Sequence, residues 1–259
     1  MTDRLKGHVA LVTGGGRGIG RAISERLYRE GAQLAICGTT ESVLQDTARA
    51  LEDEGGRPVL WRRCEVSDEA SVQETVAAAA AQFGKVDILV NNAAVTLGQF
   101  ARERIDVPFH QLDQAVWDAN LEVNLKGPWL LAKAVYPFMA RQRWGRVINI
   151  GSSTVYSGRG NCAAYIASKA GLIGLTRAMS FDLGRDGITC NLISVGLTLT
   201  ERMLDAGYDQ MAERFVPLTP MGRTQTPQDV PGTVAYFASD DAAYVTAQVI
   251  SVDGGRSMH

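Results

Sequence analysis

Two rhythms of apolar residues alternate along this chain. Short unbroken runs, such as Val9-Ala10-Leu11-Val12 and Ile88-Leu89-Val90, have the length and composition of strands buried on both faces. Between them lie longer stretches with helical spacing or helix-favouring composition. Strands are predicted at residues 8–13, 33–37, 59–65, 86–90, 147–150, 189–193 and 249–252. Helices are predicted at 21–30, 42–54, 69–83, 121–141, 163–183 and 227–238. This alternation predicts an α/β fold, a doubly wound sheet of seven mostly parallel strands with helices on both faces. Right-handed crossovers then leave a ligand crevice at the carboxyl edge of the strands, where the strand order reverses. No Pro/Ser linker, block of like charge or internal repeat interrupts the pattern, so residues 1–259 are expected to form one domain.

The first strand runs straight into Gly14-Gly15-Gly16-Arg17-Gly18-Ile19-Gly20 and then into a helical pattern. Glycines at 14, 18 and 20 let the backbone approach a pyrophosphate, and the unpaired N–H groups of the following helix supply partial positive charge for it. The spacing is G-x-x-x-G-x-G, which differs from the commoner G-x-G-x-x-G. The absence of G-x-x-x-x-G-K-[ST] argues against a nucleoside triphosphatase.

A second group of residues carries proton chemistry. Tyr165 and Lys169 are four residues apart, so one helical turn presents a phenol and an ammonium on the same face. A phenol of pKa about 10 is a poor acid or base at neutral pH, and a nearby cation favours its ionised form. Bringing it to about 7 takes roughly 4 kcal/mol of differential stabilisation, more than an exposed ion pair supplies. The site must therefore be partly closed. Ser152 lies thirteen residues before Tyr165, with Ser153 as the nearest rival hydroxyl.

Charge and composition narrow the partners. The 259 residues carry a formal net charge of -2, which provides no basic field for nucleic acid. No apolar run approaches the roughly 18 residues needed to cross a bilayer. The opening segment, Met1 to Lys6, has no secretory signal pattern, and a cytoplasmic location is expected. Cys37, Cys64, Cys162 and Cys190 form no C-x-x-C pair, and His8, His110 and His259 are scattered. Neither a metal site nor a disulfide is expected.

Taken together and in order, these motifs resemble the short-chain dehydrogenase/reductase family over essentially the whole chain. Thr13-Gly14-x-x-x-Gly18-x-Gly20 is similar to its cofactor turn, and Asn91-Asn92-Ala93-Ala94 to its NNAG segment. Asn124 in Val-Asn-Leu, Ser152 with Tyr165 and Lys169, and the closing Asp253-Gly254-Gly255 complete the match. The resemblance implies a Rossmann-type sheet and an NAD(P)-dependent oxidoreductase acting on a secondary alcohol or carbonyl, such as a small alcohol, a cyclic ketone or a sugar. Tyr165 would be the acid/base. Lys169 would lower its pKa and bind the nicotinamide ribose, Ser152 would hydrogen-bond the substrate oxygen, and Asn124 would hold a water linking Lys169 to solvent. A residue that merely kinks its helix is the other reading of Asn124. Beyond the glycine turn (Gly14, Gly16, Arg17, Gly18, Ile19 and Gly20), cofactor contacts are expected from Gly38, Thr39, Glu65 and Val66. Thr13, Asn92, Ala93, Ala94, Gly196, Thr198 and Thr200 complete that set, together with Tyr165 and Lys169. Family members also imply a homotetramer built on the helices at 121–141 and 163–183.

Cofactor choice turns on the end of the second strand, where an acid binds the ribose 2′-hydroxyl and its absence, with a cation nearby, admits a 2′-phosphate. Gly38 stands where an NAD-preferring relative usually carries Asp, and Arg17 is near in sequence to the phosphate turn. NADP is favoured, with NAD as the alternative. Val195-Gly196 replaces the usual Pro-Gly, which restores an N–H and frees φ before the nicotinamide. Ala247 replaces a usual Gly. Residues 200–221 are expected to form a lid, with Met203, Leu204, Tyr208, Met211 and Phe215 on one apolar face. Specificity is assigned to that lid, to residues 154–162 with Tyr156, Arg159 and Asn161, and to residues 95–108 with Arg102, Arg104 and Asp106. Two other classes share these motifs: a dinucleotide-binding regulatory protein without turnover, and an epimerase or dehydratase using the same site.

Overall fold

The computed structural model describes residues 3–95, 106–205 and 207–258. Arg102 and Arg104 lie outside the described residues, as does the side chain of Met211. Seven strands, β1 (Val9–Thr13), β2 (Gln33–Gly38), β3 (Val59–Arg63), β4 (Ile88–Asn91), β5 (Gly145–Ser152), β6 (Ile188–Val195) and β7 (Val249–Val252), form one sheet in the order β3-β2-β1-β4-β5-β6-β7. Every pairing is parallel. Strand order reverses between β1 and β4, so the crevice predicted at the carboxyl edge lies there.

Helices α1 (Gly18–Arg29), α2 (Glu41–Gly55), α3 (Glu69–Phe83), α4 (Gln114–Leu121), α5 (Gly127–Gln142), α6 (Thr154–Ser157), α7 (Ala163–Gly184), α8 (Glu201–Asp205), α9 (Asp209–Phe215) and α10 (Pro231–Ala238) make the connections and end pieces. Successive strand residues point to opposite faces and so feed two cores. Val12 and Ile36 pack with Ile23 and Leu27 of α1 and Phe237 of α10. Leu11 and Leu89 pack on the other face with Val76 of α3, Val135 of α5 and Leu183 of α7. None of the helices among the described residues is long and apolar enough to cross a membrane.

Several predicted boundaries move. The helix expected from residue 121 starts at Gln114, capped by Asp113, whose carboxylate accepts the Ala115 N–H at 2.8 Å. It was hard to read because only Val116 and Asn120 are buried on α4. It then passes through a π-helical turn, Glu122–Lys126, that contains Asn124. The helix expected at 227–238 is two pieces, a 3₁₀ turn Pro227–Asp229 and then α10, because Pro231 has no N–H to continue the first. Strands β5 and β6 run two residues past their predicted carboxyl ends. In β5, Asn149 accepts from Asn91 and donates to Thr176, both at 2.8 Å. β6 also continues through Val195, whose carbonyl accepts the Ser153 N–H at 2.9 Å. Val195, the residue that replaces proline, pairs in register with Ser152 of β5 and Val252 of β7.

Candidate active site

The glycine turn closes on itself so tightly that side chains are excluded. A Cβ on Gly20 would lie 2.0 Å from the Gly14 carbonyl oxygen, and Gly18 sits at φ +52°, where an L side chain is strained. Thr13 secures this turn to the one after β4: its hydroxyl accepts the Asn92 and Ala93 N–H groups at 3.0 and 2.9 Å. Asn92 answers with its amide, which donates to the Thr13 carbonyl at 3.0 Å. The first turn of α1 is thereby left facing an open groove of about 290 Å³ along the carboxyl edge. That volume is near the lower end for ligand pockets, as expected of an open cleft.

One wall of the groove is the predicted glycine set, from Gly14 through Gly16, Arg17, Gly18 and Ile19 to Gly20. Gly38 and Thr39 at the end of β2 face it from one side, with Glu65 and Val66 after β3 beyond them. Asn92, Ala93 and Ala94 form the floor. Tyr165 and Lys169 also line the groove, and Thr200 lines it close to Gly18. Thr13, Gly196 and Thr198 do not line it. Thr13 braces the turns from behind, Gly196 donates its N–H to Val252 at 3.2 Å, and the Thr198 hydroxyl returns to the Gly196 carbonyl at 3.2 Å.

The proton-chemistry residues meet at the carboxyl end of β5. Lys169 is only 3% exposed and donates from Nζ to the Ile150 carbonyl at 2.8 Å. Burial pulls its ammonium down to about 8. Tyr165, one turn earlier on α7 and partly buried, has its phenol pushed above the ordinary value by burial, while a hydrogen bond with Ser152 pulls the other way. Ser152 is buried, and its hydroxyl pairs with the Thr154 hydroxyl at 2.8 Å. Asn124 spends its oxygen on the Val95 N–H at 2.7 Å and its amide on Ser168 at 3.0 Å. It thus joins the π-helical turn to the loop after β4 and to Ser168 of α7, whose hydroxyl donates to the Tyr165 carbonyl at 2.8 Å.

Residues 14–257 match a family model described as Enoyl-(Acyl carrier protein) reductase. The chain is 38% identical over 254 residues to the 3-oxoacyl-(acyl-carrier-protein) reductase FabG of Escherichia coli (strain K12), covering 98% of this chain and 99% of that protein. It is 35% identical to levodione reductase of Leifsonia aquatica, over 99% and 96% of the two chains. The crystal structure of levodione reductase superposes with a TM-score of 0.90 at 33% identity, covering 98% of each chain. The chain is a short-chain dehydrogenase/reductase.

Membership makes this protein an oxidoreductase of carbonyl and hydroxyl substrates, and the family implies an NAD(P) cofactor. The short-chain dehydrogenase has a groove that fits such a molecule: an unobstructed helix start where only glycine is tolerated, and no side chain at Gly38, where a Cβ would meet nothing closer than 3.8 Å. Sequence reading missed several groove residues. Val43 and Leu44 come from the start of α2, Ile150 and Gly151 from the end of β5, and Glu201 and Arg202 from α8. Leu44 had a readable signal as an apolar residue in the first turn after β2.

The segment after the site departs from its predicted shape. Met203 and Tyr208 are buried but Leu204 is half exposed, and Gly207 at φ +71° lies between α8 and α9, so the expected face is carried by two separate helices. Phe215 stacks under the Arg256 guanidinium at 3.8 Å. In the specificity loops, Asn161 donates to Asp106 at 3.1 Å, which ties residues 154–162 to the described end of 95–108. Ala247 stands at φ +61°, a left-handed position that glycine occupies without steric cost.

Proposed function

We propose that this enzyme transfers a hydride between a nicotinamide dinucleotide, NADP in preference to NAD, and a secondary alcohol or its ketone, the substrate being a small alcohol, a cyclic ketone or a sugar. The observation that carries the reading is that one groove begins at the glycine turn and ends at Tyr165 and Lys169. Bound there, the nicotinamide would supply or accept the hydride. Two relatives bear names that specify oxo or dione substrates, which supports carbonyl chemistry.

The roles follow from what each side chain has free. Tyr165 passes a proton to or from the substrate oxygen. Lys169 is protonated at neutral pH, and with one N–H committed to Ile150 it keeps two donors. These serve the nicotinamide ribose and the phenol's electrostatic environment, offsetting the burial that otherwise opposes phenolate. Ser152 donates to the substrate oxygen as charge develops there, a contact worth about 2.7–4 kcal/mol when preorganised. Preference for NADP rests on Gly38 and Thr39 in place of an acid, with the Arg17 guanidinium held over that corner by the Thr40 hydroxyl at 3.3 Å. Residues 200–221 act as a lid on a single-domain chain. Trp129, Tyr136 and the 83% exposed Phe181, on α5 and α7, support assembly into a homotetramer through those helices.

The test is absorbance at the reduced-nicotinamide band, with NADP and NAD separately, against a panel of alcohols, ketones and sugars. Turnover is expected with at least one substrate, faster with NADP. Dinucleotide binding without net redox change across the panel would end this reading in favour of a regulatory or non-redox use of the site.

A further inference from the structure

Arg202 lies two residues beyond Thr200 on α8 and lines the same groove as the glycine turn. α8 reaches that turn directly, since a Cβ on Gly18 would stand 3.0 Å from Thr200 Cγ2 and 3.9 Å from a Glu201 carboxylate oxygen. Arg202 is half-buried, yet among the described residues it makes no hydrogen bond and no salt bridge. Arg17, at the start of α1, faces the same space with one long bond to Thr40. Burial first, and the charge of Arg17 second, hold the Arg202 guanidinium below its ordinary range. Glu201, the acid on the same rim, is exposed and pairs with neither arginine among the described residues. Arg17 and Arg202 are two like charges lining one open groove, neither paired with the Glu201 carboxylate on the same rim, and both are stabilised by an anion placed there.

We propose that Arg202 binds the diphosphate of the dinucleotide from the lid side, so that the cofactor bridges α8 to the first turn of α1. This rests on the reading above that the groove takes a pyridine dinucleotide. The diphosphate is preferred to the 2′-phosphate because α8 touches Gly18, in the first turn of α1 where unpaired N–H groups face the groove. No atom of α8 lies within 4 Å of the Cβ position at Gly38, at the ribose corner. Arg202 is a binding residue in this scheme and takes no part in proton transfer.

The experiment measures binding of NAD, NADP and ADP-ribose to the full chain by isothermal titration, for the wild type, Arg202→Ala and Arg202→Lys. Circular dichroism confirms that each variant is folded. Arg202→Ala should weaken all three ligands by a similar factor, about 10- to 100-fold, the range for a charge-assisted hydrogen bond. Arg202→Lys should recover part of the loss, because it restores charge without the fork geometry. ADP-ribose should also slow proteolysis within residues 201–215 of the wild type and not of Arg202→Ala. Unchanged affinity in Arg202→Ala would overturn the proposal, and so would a loss confined to NADP, which would move the contact to the 2′-phosphate. A wild-type protein that binds none of the three ligands would overturn both this inference and the function proposed above.

Discussion

The two ends of the groove are built from different materials. At the phosphate end the walls are backbone: glycines, a helix start, and turns tied together by Thr13 and Asn92. At the catalytic end they include side chains, with Lys169 buried and Tyr165 only partly accessible, while Ser152 lies buried beside them outside the groove lining. The contrast follows from the charge each end handles. A diphosphate brings its own charge, so close approach and fixed partial dipoles receive it, with Arg202 adding a countercharge from α8. A proton transferred to a neutral carbonyl brings none, so the protein must bury ionisable groups and set their pKa values. The phosphate end should therefore fail through sterics, and the catalytic end through electrostatics.

That distinction is testable. The largest effect is expected for Tyr165→Phe, which keeps the ring and removes the proton. Its kcat/KM should fall about 10²- to 10⁴-fold, while dinucleotide affinity stays within a few fold. Steady-state rates with calorimetric binding would show this, and a retained rate would remove Tyr165 from the mechanism. Next is Gly20→Ala. The added methyl meets a carbonyl oxygen that is backbone on both sides, so no rotamer change relieves the contact. Unfolding stability should drop by about 3 kcal/mol and dinucleotide binding should be lost. Denaturant titration checks the first, and a variant of wild-type stability would show that the turn can open.

The smallest effect belongs to Lys169→Met and is distinguished by its pH dependence. Burial lowers the folded pKa of Lys169 from 10.5 to about 8, so between those values the unfolded chain binds more protons and stability rises with pH. The burial cost is fully present below about pH 8 and is relieved as pH climbs toward 10.5. Removing the ammonium should therefore stabilise the ligand-free protein at pH 7 by up to about 3 kcal/mol, less what the lost bond to Ile150 contributes. The gain should shrink by pH 10. Urea unfolding at the two pH values measures it, and an equal difference at both would mean that the lysine is not desolvated as its position implies.

The strands and the glycine turn were legible because their signal is local. A run such as Val9-Ala10-Leu11-Val12 followed by glycines has few other ways to be satisfied. Tyr165 and Lys169 were legible for the same reason, since helical geometry alone puts them on one face. The start of α4 was not, because its covered side is just Val116 and Asn120 and its main marker is a single aspartate cap. The one-sided lid helix failed because Gly207 adopts a left-handed turn that apolar spacing does not report. Arg202 was visible as a charge but not as a groove residue, since its significance depends on Arg17, far away in the chain.

Residue order alone thus settled the alternation of strands and helices, the parallel sheet they require, and which side chains could share a helical turn. Those follow from backbone hydrogen bonding and periodicity, which act over a few residues. Folding added what depends on distant neighbours: the burial that moves the Lys169 ammonium toward neutrality, the Thr13 brace between β1 and β4, and the meeting of α8 with Gly18. Desolvation and charge are properties of a surrounding volume, and that volume is filled by segments the sequence keeps far apart.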